Sequence, residues 1–119
     1  MIIDFHTHIF PPRIKKNRTK YIDSDSCFAI LYSKPDTRLA TADELIAGMD
    51  KDGVGTSVIL NIGWTTHELC VETNDYILES IARYPERLIG FCTVQPQSLE
   101  AALDEIERCA KGGIRGVGE

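Results

Sequence analysis

The sequence has no apolar run approaching the roughly eighteen residues of a membrane helix, no closely spaced cysteines and no excess of basic charge. Each absence removes a class of function. Without a long apolar run there is no membrane-spanning helix to read. A net charge of −5 argues against a nucleic-acid surface, which needs a basic face, and against attraction to an anionic membrane. The first residues lack the basic segment followed by an apolar one that marks a secretory leader. Cys27, Cys70, Cys92 and Cys109 form no Cys-x-x-Cys pair. They read as reduced thiols of a cytoplasmic protein, and thiol redox chemistry is the weakest functional reading. What remains, 43% hydrophobic and 26% charged residues over 119 positions, is the composition of one small soluble globular domain.

The most informative stretch is Ile2-Ile3-Asp4-Phe5-His6-Thr7-His8. Residues 2–5 read as a short buried strand. On an extended strand, positions i and i+2 share a face, so His6 and His8 stand side by side and can both reach one metal ion. Neutral imidazole suits zinc, iron, nickel and copper alike, so the pair does not name its metal. Asp4 joins the same face if the strand is regular. The plain alternative is two solvated histidines near a chain end.

Downstream, the pattern is strand and helix in alternation. Residues 11–40 read as a long irregular loop, either a lid over a site or a disordered insertion. Its basic run (Arg13, Lys15, Lys16, Arg18, Lys20) is a solvated face or an attractor for an anionic substrate. Thr41 and Glu44 have capping-box spacing. Leu45, Ile46 and Met49 give the following helix an apolar stripe, and Gly53 ends it. Val54 to Ile62 is a second, β-branched strand. A helix spans 68–83, a strand 88–94, a helix capped by Ser98 runs 99–111, and a fourth strand begins at Ile114. Helices between buried strands make βαβ units and therefore a parallel sheet. Asn61, Trp64, Thr65, Thr66 and His67 follow the second strand, at the same end as His6 and His8. Trp64 is a pocket wall or a loop anchor. His67 is a substrate contact or a helix cap.

Asp4-Phe5-His6-Thr7-His8 resembles the first-strand signature of the amidohydrolase superfamily, in its amidohydrolase-related branch. Asn74-Asp75-Tyr76, Tyr84-Pro85-Glu86-Arg87-Leu88-Ile89-Gly90-Phe91 and Gly113-Ile114-Arg115-Gly116-Val117 extend the likeness over residues 1–8 and about 42–119. Residues 11–40 resemble nothing familiar. The resemblance implies an α/β fold: parallel βαβ units forming strands one to four of a (β/α)8 TIM barrel. A barrel takes about 250 residues, so this length predicts half of one and a piece of a longer polypeptide.

The resemblance further implies one or two divalent ions, zinc first, held by His6, His8 and, at the end of strand four, Glu119. It places two further histidines and a catalytic aspartate on later strands, beyond residue 119, and so predicts that these 119 residues alone are inactive. It implies a small-molecule substrate hydrolysed by metal-activated water, or alternatively a nonoxidative decarboxylation. A noncatalytic half-barrel binding or assembly module is the reading from another class, and a homo-oligomer stays open.

Overall fold

The computed structural model describes residues 1–118. Four strands form one parallel sheet in chain order: β1 (Ile2–His8), β2 (Val54–Leu60), β3 (Leu88–Cys92) and β4 (Gly116–Val117). Three helices, α1 (Pro12–Lys16), α2 (Arg18–Ser24) and α3 (Ser26–Tyr32), follow β1. Helix α4 (Ala42–Asp52) crosses to β2, α5 (His67–Arg83) to β3, and α6 (Glu100–Lys111) to β4. This is the α/β arrangement of the first half of a barrel, as expected.

Local chemistry sets the boundaries. Thr41 Oγ1 accepts from the Glu44 amide and the Glu44 carboxylate accepts from the Thr41 amide, so the capping box forms. Gly53 then ends α4 with φ +72°, a region that L side chains rarely adopt. At α6 the expected Ser98 cap does not form. A 3-10 turn at Pro96–Ser98 intervenes, and Leu99, at φ 52°, takes the cap position without a side-chain bond.

One sheet face is covered by helices. Ile59, Leu88 and Cys92 pack there with Met49 of α4, Tyr76 and Ile77 of α5, and Cys109 of α6. A fully buried Ile or Leu contributes about 1.5–3 kcal/mol relative to exposure, so this layer carries most of the hold between sheet and helices. The opposite face is partly open. Ile3 is 52% and Ile89 38% exposed, and Phe5 on β1 is 71% exposed. The expectation of a buried first strand is therefore corrected. Its residues are apolar, but no element of the described chain covers β1.

Residues 11–40 also depart from expectation. They fold into three short helices around an aromatic core in which Phe10, Ile14, Tyr21, Phe28 and Leu39 pack with Ile62, Trp64 and Cys70. Arg18 ties the return segment. Its guanidinium donates to the carbonyls of Tyr32, Lys34 and Thr37 at 2.6–2.9 Å. Arg13 pairs with Glu72 and Lys15 with Glu44 at 2.7 Å, so much of the basic run is bound within the fold. Phe10 N–H donates to the Ala40 carbonyl at 2.8 Å, which closes the base of the insert.

Candidate metal centre

His6 and His8 come together at the C-terminal end of β1. Their Nε2 atoms lie 3.1 Å apart and their ring centroids 4.9 Å apart, at an interplanar angle of 64°. Two imidazole nitrogens sharing one ion at about 2.0–2.1 Å stand about 3 Å apart, so the pair fits as two ligands of a single ion. Among the described residues, no third His, Cys, Asp or Glu joins them in a group that could hold an ion. Two imidazoles alone are fewer than the three or four protein ligands of a zinc site.

Sheet register assigns the face. His8 pairs with Leu60, and Val58 with Ile89, on the side away from the helices; Thr7 pairs with Ile59 on the helix-covered side. The imidazoles therefore belong to the face turned away from the helices, the inner face of the half-barrel. Phe91 lies on that face too, and its ring crosses β4 so closely that a Cβ at Gly116 would meet Cζ at 2.7 Å.

Buried polar clamps hold the strand ends. Asn61, fully buried, donates Nδ2–H to the Ile9 carbonyl at 2.6 Å, one residue beyond His8. Its Oδ1 accepts from the Ile62 amide at 3.0 Å and from Trp64 Nε1 at 2.7 Å. Thr93 Oγ1 donates to the Ile62 carbonyl at 3.0 Å. Asn74 donates to the Thr93 carbonyl and accepts from its amide, and also bonds the Glu105 carboxylate at 3.3 Å. Arg108 in turn holds Glu105 through two guanidinium bonds. Burial works to raise the Glu105 pKa, but the Arg108 and Asn74 bonds outweigh it and hold the carboxyl below its ordinary value. These clamping roles were not evident in the sequence. The available signal was polar residues ending apolar strands, as at Asn61 and Thr93.

The remaining candidate residues lie elsewhere. Trp64 has no exposed surface. It stacks on Phe28 at 5.1 Å and 12°, and its indole N–H is taken by Asn61. This makes it the anchor of the insert, not a pocket wall. His67 opens α5, but the cap is Thr66, whose Oγ1 accepts from the Leu69 amide at 3.3 Å. His67 lines a groove of about 300 Å³ between α5 and α6 with Glu105 and Arg108, and neither His6 nor His8 lines it. Glu119 lies outside the described residues.

The Amidohydrolase family model matches residues 3–118. Among solved structures, 5-carboxyvanillate decarboxylase from Novosphingobium aromaticivorans, complexed with manganese and 4-hydroxy-3-methoxy-5-nitrobenzoic acid, is 23% identical with a TM-score of 0.79. The match covers 98% of this chain and 40% of that one. 2,6-Dihydroxybenzoate decarboxylase from Rhizobium is 19% identical with a TM-score of 0.64, covering 98% and 37%. A Staphylococcus aureus protein assigned provisionally as an amidohydrolase is 27% identical with a TM-score of 0.66, covering 98% and 36%. The chain thus spans about two fifths of the length of these structures.

Proposed function

The chain belongs to the amidohydrolase family, and from that premise we propose that His6 and His8 are the first two ligands of a divalent-metal enzyme acting on a small molecule. The observation that carries this reading is the approach of the two Nε2 atoms to 3.1 Å on the inner face of the sheet. An ion held there by His6 and His8 would supply Lewis acidity toward a substrate oxygen or water. His6 and His8 would hold that ion through their Nε2 lone pairs and would serve as ligands, not as proton carriers in the reaction. Asn61 and Thr93 keep the strand ends in place around it.

Two reactions suit such a centre. One is hydrolysis of a C–N, C–O or P–O bond by metal-activated water. The other is nonoxidative decarboxylation of an aromatic or unsaturated acid, and two of the similar structures described above, both decarboxylases, support it at least as well. Zinc suits the imidazole pair, while one similar structure carries manganese.

The test is elemental analysis of the purified full-length protein, with His6→Ala and His8→Ala alongside. One or two bound ions, lost in both variants, support the reading; equal metal content in all three proteins overturns it in favour of an assembly module. Release of carbon dioxide from hydroxylated benzoates, measured against hydrolysis of amides and esters, then separates the two reactions.

A further inference from the structure

Strand β1 does not run in simple step with β2. Asp4 pairs with Ser57 and Thr7 with Ile59, so β1 takes three steps where β2 takes two. The extra residue lies between Asp4 and Thr7, and it changes the face served downstream. By register, Asp4 stands beside Ser57 on the helix-covered side, whereas His8 stands beside Leu60 on the inner side. The expectation that Asp4 shares a face with both histidines is thereby corrected. A slip of one residue would carry His8 to the wrong face, so whatever holds this bulge also aims the imidazoles.

Bulges interrupt the ladder and leave a residue without its regular pairing. Here the Asp4 carboxylate takes up the local amide: Oδ1 accepts from His6 N–H at 3.3 Å. On the other flank, Thr7 Oγ1 donates to the Val58 carbonyl at 2.7 Å and locks the strand back into register. We propose that Asp4 is a positioning residue for the metal pair, holding the bulge that turns His6 and His8 inward, and is not itself a ligand. Asp4 does not join the two histidines in a group that could hold an ion, which agrees with this role. The proposal rests on the metal reading above.

Outer partners that orient ligands change metal affinity by about 10–100-fold when removed. Asparagine retains an oxygen that can accept from His6 N–H but lacks the charge of a ligand, so Asp4→Asn separates the two roles. The experiment titrates Mn(II) into the full-length protein, following free Mn(II) by electron paramagnetic resonance, for wild type, Asp4→Asn, Asp4→Ala and His6→Ala. Hydrogen exchange at the His6 amide is followed by nuclear magnetic resonance in the same proteins before metal is added.

Asp4→Asn is expected to bind within about twofold of wild type and to keep the His6 amide protected. Asp4→Ala is expected to bind about 10–100-fold more weakly and to expose that amide. Equal losses in Asp4→Asn and Asp4→Ala, with the amide still protected in Asp4→Asn, would make Asp4 a ligand and overturn the proposal. An Asp4→Ala protein unchanged in both readouts would overturn it as well. If wild type binds no Mn(II), or His6→Ala binds equally well, the metal reading fails on its own. The exchange data then still decide whether Asp4 holds the bulge. Should Asp4→Ala not fold, Asp4→Leu takes its place with the same expected losses, and a loss of Mn(II) binding in Asp4→Asn with the amide still protected overturns the proposal.

Discussion

The side-chain amide of Asn74 reads the backbone of Thr93 in both directions, donating to its carbonyl at 2.8 Å and accepting from its N–H at 2.9 Å. A helix side chain thus substitutes for a neighbouring strand at the end of β3. Both residues are fully buried, so neither backbone group can turn to water instead. Replacing Asn74 by Ala strands the two groups, at about 1–3 kcal/mol each. A loss of at least 2 kcal/mol in urea unfolding is expected; a loss below 1 kcal/mol would show that water or a shifted strand replaces the amide.

Glu105 makes part of the stability depend on acid. Its carboxyl is held below the ordinary value despite burial, because Arg108 and Asn74 bond the charged form. A depressed folded-state pKa gives stability that is complete above the unfolded value near 4.5 and lost as pH falls through the lower folded value. Thermal melts between pH 7 and pH 3 should show a smaller acid-dependent drop for Glu105→Gln than for wild type. At pH 7 the variant should be the less stable of the two.

Trp64 is the chain's single tryptophan, so its fluorescence reports directly on docking of the insert. Emission should be blue-shifted in the folded protein and move red on unfolding. Trp64→Phe loses the indole bond to Asn61 and leaves a gap beside Phe28. A cost of about 2–4 kcal/mol is expected from the cavity and the lost bond together, measured by denaturant unfolding followed by circular dichroism.

Two glycines at α4 should respond in opposite directions to alanine. Gly48 lies inside the helix, where an added Cβ meets nothing within 4 Å. Gly48→Ala should therefore stabilise by about 0.5–1 kcal/mol. Gly53, at φ +72°, should lose about 1 kcal/mol in Gly53→Ala. Melting temperatures of the pair, measured side by side, check both signs.

Much of this was legible in the sequence, for identifiable reasons. The capping box at Thr41 and Glu44 and the alternation of strands and helices follow from local spacing, and they formed. His6 and His8 converge because the two-residue strand period places them together. The helices of the insert were not legible, since each has only five to seven residues. That is too short for a periodic stripe, and they are held by aromatic packing with Ile62 and Trp64, distant in sequence. The exposure of Ile3 and Phe5 was missed because apolar composition records a preference for burial, not the presence of a covering element. The bulge between Asp4 and Thr7 depends on pairing with β2, which no local pattern in β1 specifies.

The insert leaves and rejoins the fold at adjacent points, Phe10 and Ala40, joined by one hydrogen bond of 2.8 Å. Its internal length is therefore decoupled from the register of β1 and from the start of α4. Each doubling of such a closed segment costs only about 0.6 kcal/mol in loop entropy. Segments of other lengths can be exchanged at this junction, provided they keep the aromatic packing on Ile62 and Trp64. The region between Phe10 and Ala40 is thus a module whose length evolution or engineering can vary independently of the strand that carries His6 and His8.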